Sequence, residues 1–551
     1  MRRFPLLAAA AAVPALASAQ PAAFAARVDS LFDRWRGTDR PGCAVGVSDR
    51  GRVVLERAYG MADLESGVAM APATVVHAAS LAKSVTALAV LLLEQEGRLS
   101  LDDPARRHLP DLPASAGDAT IRQLLTHTAG LRDVFELAIL ARGRFEEDRI
   151  TQADALAMLA RQRAPNFAPG AEYGYSNTGY LLAARIVERI SGRPFAAFAA
   201  ERLFAPLGMR RTHVRDDVAA LVPGRAVGYA RRGAGWRVST PNFDVVGSTN
   251  LQTTVGDLLR WADNLDRPAV GDTALVRRMQ TPAVLSTGDT TTYGLGLSLV
   301  RDRGWRVAEH EGRDPGFRAY LGRWLDRGVS VALLCNAAAL DPVGLGRTVA
   351  SLYLGPGPAA TPGAAAASGD APGDARAALA WAGVYFEPTT RQVAELTVRD
   401  GVLYTDRSGG ARFEAHGPRR ARQVGVPLEL DFGAGARPGY RVRWLVPGRR
   451  ADAFAWRAPA APALDRRALA AYAGTYASAE LDATYRVEAG DSTLTLRAGA
   501  APGLVARPVF PDGFVSGQYT VEFARTGGRV TGFAISHPRA RGVAFVRVLS
   551  R

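Results

Sequence analysis

From about residue 379 onward the chain repeats itself. Ala382, Gly383 and Tyr385 recur as Ala473, Gly474 and Tyr476, an offset of 476 − 385 = 91. The same ungapped offset carries Asp400 to Asp491, Leu403 to Leu494, Phe432 to Phe523, Pro447 to Pro538 and Phe454 to Phe545. So many matches at one spacing mark a duplicated unit. Each copy alternates apolar and polar residues at period two, as along Val393 to Tyr404, where Asp400-Gly401 makes a hairpin turn. A copy of about 85 residues has room for roughly eight short strands, enough to close as a small antiparallel barrel. The repeat therefore predicts two all-β, barrel-like (lipocalin-like) domains, residues 375–458 and 466–551. They suit either a module that binds ligand or gates substrate, or a wall against the rest of the chain, since neither copy gathers a polar constellation.

Upstream, residues 355–374 read as a linker, because Gly355 to Gly373 is built of Gly, Pro, Ala, Ser and Thr with one Asp and buries no core. Residues 22–354 alternate helical and strand patterns and form a domain of their own. Ala22 to Arg36 reads as an amphipathic helix with Phe24, Val28, Leu31, Phe32 and Trp35 on one face. Residues 1–19 read as an export signal: Arg2 and Arg3 precede an apolar stretch from Leu6 to Leu16, and Ala17-Ser18-Ala19 is a small-x-small cleavage site. No later run reaches the roughly 18 apolar residues of a membrane span. The expectation is a periplasmic or secreted protein with no membrane span after processing. In that oxidising space Cys43 and Cys335 either pair or stay as buried packing residues.

The charge says less than its size suggests. The chain carries 68 Lys plus Arg against 53 Asp plus Glu, a formal net charge of +15, which would suit a phosphate-rich partner. The arginines are scattered rather than gathered in a stripe, so a nucleic-acid partner is not expected and a solvated surface accounts for them. What the count isolates is its exception. Only Lys83 is lysine, leaving 68 − 1 = 67 arginines.

Ser80 to Glu96 reads as a helix, with Gly97 as its cap and a middle, Val85 to Leu93, that is apolar on nearly all sides; such a helix is buried. Lys83 stands in its first turn, three residues after Ser80, so the two side chains share a face. An ammonium against apolar walls and near the positive end of a helix dipole loses stability relative to the amine, and its pKa falls. A neutral amine beside a hydroxyl is a base beside a nucleophile. Arginine stays protonated at any usable pH and cannot replace it.

Two further clusters supply what serine hydrolysis needs besides a nucleophile and base. Tyr175-Ser176-Asn177 follows Pro169-Gly170 in a loop expected just before a helix starting near Tyr180. The Tyr175 phenol would bond the Ser80 and Lys83 pair, and the Asn177 amide would hold a substrate carbonyl. Trp305 to Glu309 reads as a strand running into His310-Glu311-Gly312, where glycine would let a substrate backbone lie against the strand edge.

Together, Ser80-Leu81-Ala82-Lys83, Tyr175-Ser176-Asn177 and His310-Glu311-Gly312 resemble the three motifs of the penicillin-binding and class C β-lactamase-like serine hydrolases. Leu99 to Asp103, Leu124 to Thr128, Pro206 to Met209 and Tyr293 to Gly296 also resemble that family's recurring segments. The resemblance spans about residues 25–354. It implies a β-lactamase-like α+β domain, a five-stranded antiparallel sheet flanked by helices plus a helical subdomain, and an acyl-enzyme on Ser80. It also implies acid/base work shared by Lys83 and Tyr175, and an oxyanion hole of the Ser80 N–H with that of a residue after Gly312, Arg313. His127 is read as structural. No metal or other cofactor is implied.

The third motif has His310 where β-lactamases and transpeptidases of the family usually place a lysine. His-x-Gly instead resembles its D-aminopeptidases and esterases, and a catalytic domain followed by two eight-stranded barrels is the D-aminopeptidase architecture. The expectation is an exported hydrolase of amides or esters, with a small-molecule or peptide substrate of cell-wall type, and less of β-lactamase or D,D-carboxypeptidase character. The alternative is a non-hydrolytic penicillin-binding or cell-wall sensor protein on the same scaffold.

Overall fold

The computed structural model describes residues 16–358, 375–405, 410–416, 418–424, 428–432, 438–444, 454–459, 464–499 and 501–548. Helix α1 (Leu16–Leu31) is followed by a separate 3-10 turn at Asp33–Trp35, so the predicted helix over 22–36 is broken near its end. Phe24, Val28, Phe32 and Trp35 are buried, as the periodicity requires. Residues 1–15 of the predicted export signal lie outside the described residues, as do residues 359–374 of the predicted linker. Among the described residues no helix is long and apolar enough to cross a membrane.

The first domain is built on an antiparallel sheet of β1 (Cys43–Asp49), β2 (Arg52–Tyr59), β3 (Ser298–Asp302), β4 (Trp305–Asp314), β5 (Phe317–Trp324) and β6 (Val329–Cys335), in the order β3-β4-β5-β6-β1-β2. It has six strands where five were expected. The additional edge strand, β3, is added by a tight hairpin at Arg303 and Gly304, both at positive φ (46° and 87°). Side-chain alternation divides the faces. Val45, Val47, Val331 and Leu333 pack with α1 and with the helix Pro342–Leu354, while Ala44, Ala332 and Leu334 join a second core that contains the buried helices. Cys43 and Cys335 are directly opposite in the β1–β6 register and form a disulfide, which resolves the two readings of that pair.

Helix α2 (Ala82–Gln95) is buried from Ala82 to Leu93, as its apolar run predicts. Its start differs: Ser80 lies in a 3-10 turn (Ala79–Leu81) that leads into the helix, and Ala79 takes φ 49°. Helix α3 (Val134–Arg142) and helix α4 (Asn177–Ser191) complete the surroundings of the site. Helix α4 begins at Asn177 rather than near Tyr180, because the Asp133 carboxylate accepts the Asn177 N–H at 2.6 Å and satisfies a donor of the first turn.

The C-terminal part forms two closed eight-stranded antiparallel barrels, from Gly383–Glu387 to Phe454–Arg457 and from Gly474–Ser478 to Ala540–Arg547. In the first strands the duplication keeps its offset: Gly383 pairs with Leu396 and Gly474 with Val487, and 474 − 383 and 487 − 396 are both 91. In the last strand it does not. Tyr385 pairs with Arg457 and Tyr476 with Arg547, so these strands are 547 − 457 = 90 apart and Phe454 is not the counterpart of Phe545. The second barrel shares one continuous apolar core with the helical part of the first domain. The first barrel has its own core and meets the second through Phe386, Val393, Val509 and Val515.

Candidate active site

The left-handed Ala79 and the short 3-10 turn put the Ser80 hydroxyl at the mouth of α2, in a cavity of about 600 Å³ between the sheet edge, α3 and the second barrel. One turn on, Lys83 is fully buried. Its Nζ lies 3.0 Å from Ser80 Oγ, 2.8 Å from Asn177 Oδ1 and 2.8 Å from the Ser248 carbonyl. Burial pushes the Lys83 pKa down to about 7, against the opposing pull of Asp314 and Asp133. In the amine form, two N–H groups donate to Asn177 and Ser248, and the remaining lone pair faces the Ser80 hydroxyl.

Tyr175 lies on the other side of Lys83, its ring centre 4.8 Å from Nζ. Burial raises its pKa well above that of an ordinary phenol, with partial opposition from the Ser80 hydroxyl and Arg539. It is a neutral phenol, a proton donor. Behind it His127, left-handed at φ 59°, packs with its ring centre 4.2 Å from that of Tyr175, the planes tilted by 34°, and accepts the Ser176 N–H at 3.1 Å on Nδ1. Burial keeps that imidazole neutral, and the histidine holds the Tyr175-Ser176 segment, as its structural reading anticipates. Asn177 bridges Lys83 to Asp133, with Nδ2 donating to Asp133 Oδ2 at 2.8 Å. Its carbonyl oxygen is thus engaged inside the protein, and one amide hydrogen is left to face the cavity.

The third motif lies on β4. Pairing with β3 ends at Ser298 opposite Glu309, so residues 310–314 have β5 on one side and the cavity on the other. His310 lines the cavity, but both ring nitrogens have protein partners: Nδ1 meets the Glu311 carbonyl at 2.6 Å and Nε2 meets the Tyr293 hydroxyl at 2.8 Å. The carbonyl can only accept, so Nδ1 carries the proton and Nε2 accepts from Tyr293. Burial pushes its pKa down to about 3. Gly312 has a packing reason to be glycine that the sequence does not show. A Cβ there would come 2.3 Å from the Ala78 carbonyl, so the backbone leading to Ser80 packs directly against this position. Arg313 directs its side chain to Glu311 at 2.6 Å.

Four contributors escaped the sequence reading. Asp133 caps α3, accepting from Phe135 N and Glu136 N, and anchors Asn177. Ser248 and Tyr293 hold Lys83 and His310. Arg539 comes from the second barrel, in the short connection between the strands Arg529–His537 and Ala540–Arg547. Its guanidinium lies over the Tyr175 ring at 5.0 Å. Its carbonyl accepts Asp133 N at 2.9 Å and Asn166 Nδ2 at 3.0 Å. The local sequence around Ser80 carries no trace of these groups, since each arrives through a long-range packing contact.

A nucleophilic hydroxyl, a buried amine of lowered pKa and a phenol, on a helix mouth beside an open sheet edge, define a serine hydrolase. The family described as Beta-lactamase matches residues 24–355, and the chain belongs to it. A D-aminopeptidase of Cereibacter sphaeroides is 30% identical over 548 residues, covering 95% of this chain and 98% of that protein. A D-aminopeptidase of Brucella ovis is 29% identical over 297 residues, or 54% of this chain and 56% of that one. Among solved structures, the D-amino acid amidase of Ochrobactrum anthropi SV3 in complex with L-phenylalanine is 27% identical with a TM-score of 0.52, covering 61% of this chain and 98% of that one. A penicillin-binding protein homologue from Pyrococcus abyssi, 20% identical with a TM-score of 0.53 over 88% of this chain and 99% of that one, shares the fold.

Proposed function

We propose that the chain is an exported hydrolase of D-aminoacyl amide or peptide bonds, acting through an acyl-enzyme on Ser80. The observation that carries the reading is the 3.0 Å approach of Ser80 Oγ to a Lys83 amine whose pKa is pushed down to about 7. Ser80 gives its proton to Lys83 Nζ as Oγ bonds to the substrate carbonyl carbon. The oxyanion is taken up by backbone N–H groups at Ser80 and on the β4 edge near Arg313. When the C–N bond breaks, the leaving nitrogen collects a proton from the Tyr175 phenol, which Lys83 replenishes. Water then attacks the ester, the same pair taking one of its protons and passing it to Ser80 Oγ as the ester C–O bond breaks, so that the serine hydroxyl is restored and the acid product leaves. The D-aminoacyl preference is supported by the names of the relatives and by His310 in place of a lysine. The buried disulfide supports an oxidising compartment and hence export.

The test uses D-alanine p-nitroanilide. Turnover is expected for the intact chain and loss of roughly 10⁴-fold or more for Ser80→Ala, by analogy with other removed nucleophiles. Lys83→Arg, which keeps the charge and removes the base, should fall by a comparable factor. In the intact chain kcat/KM should rise with pH through about 7 as Lys83 loses its proton. Near-normal turnover by Lys83→Arg would remove lysine from the proton transfer. Acylation without turnover, seen as a stable mass increment, would favour the sensor alternative.

A further inference from the structure

The charged side chains around the cavity are almost all committed within the protein. On the α3 side, Asp133 accepts four hydrogen bonds, Glu136 accepts from Tyr519 and faces His537, and Glu146 takes Arg237 and Ser239. On the β4 side, Glu311 pairs with Arg313, and Asp314 is held by His77 at 2.7 Å and Thr249 at 2.5 Å. Arg318 donates to the Asp314 and Phe317 carbonyls.

Arg539 is different. It lines the same cavity as Ser80, the residue is exposed, and among the described residues the guanidinium makes no hydrogen bond or ion pair; it lies over the Tyr175 ring. Its backbone, by contrast, is fixed on both sides: its N–H reaches His537 Nδ1 at 3.3 Å and its carbonyl is clamped by Asp133 and Asn166. The planar fork is therefore presented by a rigid tether with its five donors unspent, next to the phenol that serves the leaving group. A guanidinium so placed matches a carboxylate in two-point geometry.

We infer that Arg539 binds a carboxylate on the leaving side of the scissile bond, so that the chain prefers free peptides over peptide amides or neutral amides. This rests on the hydrolase reading above, with the second barrel supplying the selectivity. The substrate class that follows is a short D-aminoacyl peptide whose second residue keeps its free α-carboxylate.

The test compares D-alanyl-D-alanine with D-alanyl-D-alaninamide, which differ only in that anion, and uses the full chain with Arg539→Gln and Arg539→Lys. The intact protein should favour the acid by roughly ten- to a hundredfold in kcat/KM, the worth of a charge-assisted hydrogen-bond pair. The advantage should lie in KM. Arg539→Gln should bring the acid-to-amide ratio near one, and Arg539→Lys should keep part of it; taking the ratio cancels any effect on the common chemistry. An intact protein indifferent to the anion, or an Arg539→Gln ratio equal to that of the intact protein, overturns the inference. Loss of turnover on both peptides and on D-alanine p-nitroanilide in the intact protein would instead strike the hydrolase reading. In that event the rate of fluorophosphonate labelling of Ser80 is followed with each peptide present. Protection by the acid, lost in Arg539→Gln, still supports the inference, and equal protection by acid and amide refutes it.

Discussion

The two barrels descend from one unit, yet they sit in the molecule in different ways. Both close with eight strands, and both pin the first strand by the same device: Tyr385 donates to the Trp381 carbonyl at 2.9 Å and Tyr476 to the Tyr472 carbonyl at 2.7 Å. Arg457 and Arg547 likewise bond the carbonyls of Ala382 and Ala473 at 2.6 Å. The second barrel is fused to the catalytic domain. Arg132 meets Glu480 at 2.7 Å with both side chains buried, Tyr485 donates to the Leu140 carbonyl at 2.6 Å, and Arg541 pairs with Glu172 at 2.9 Å. The first barrel leans on the second through a small apolar patch and the pairs Arg391–Glu522 and Arg507–Glu395. A duplicated fold thus carries two levels of integration, and what separates them is the surface outside the barrel, not its interior.

The comparison breaks most severely at Arg132. Arg132→Ala removes one partner of a pair whose side chains are 3% and 8% exposed and leaves Glu480 buried without its cation, which costs about 3–5 kcal/mol. Unfolding of the catalytic domain and second barrel should shift together, and hydrolysis should fall with it, because Arg132 Nη2 also bonds the Arg541 carbonyl two residues beyond Arg539. Denaturant unfolding followed by activity would show it. A loss of barrel signal with full activity would mean that the fused unit is not one.

A lesion inside the first barrel should behave in the opposite way. Leu403 is fully buried in that core, and Leu403→Ala should destabilise it by about 2–5 kcal/mol. Since that core is separate, the change should appear as an earlier unfolding step of the first barrel alone, with kcat/KM on a small amide held within about twofold. A large drop in kcat/KM at a temperature where the first barrel is still folded would show that it, too, shapes the site.

These contrasts also show what the chain made legible. The Ser80 and Lys83 pair and the duplication could be read because each rests on local spacing: three residues from Ser80 to Lys83, period two along the strands, an offset of 91 that holds in the first strands of the two copies. The sixth strand was missed because Ser298 to Asp302 follows a segment recognised for its glycines, and its pairing depends on the turn at Arg303 and Gly304. Gly312 has a second reason to be glycine that the sequence did not show, since only the fold brings the Ala78 carbonyl to it. His310 lines the cavity, and the phenol of Tyr293, seventeen residues away in sequence, takes its Nε2. Arg539 had no local signal at all. Its meaning comes from the docking of a barrel against a helix at Val134–Arg142, far earlier in the chain, a long-range contact that no spacing encodes.

The interface offers a smaller and pH-dependent probe. Glu136 on α3 faces Tyr519 and His537 of the second barrel, and Asp133 and Arg539 lie nearby. Burial pushes Glu136 up to about 7 from 4.5 and His537 down to about 4 from 6.5, so each favours its neutral form. For Glu136 the folded state holds the proton that the unfolded state gives up, and stability falls as pH rises from about 4.5 to about 7. For His537 the folded state lacks a proton that the unfolded state binds, and stability rises from about pH 4 to about 6.5. The two trends largely cancel in the intact chain. Glu136→Gln removes only the first, so the stability of the variant relative to the intact chain should grow between pH 4.5 and 7.5 by at most about 3 kcal/mol. Unfolding of both proteins at those two pH values reads the difference directly, with every shared titration subtracted. A difference that stayed constant would mean that Glu136 ionises as freely in the fold as out of it, and that the seam between α3 and the second barrel is wetter than the burial of its side chains implies.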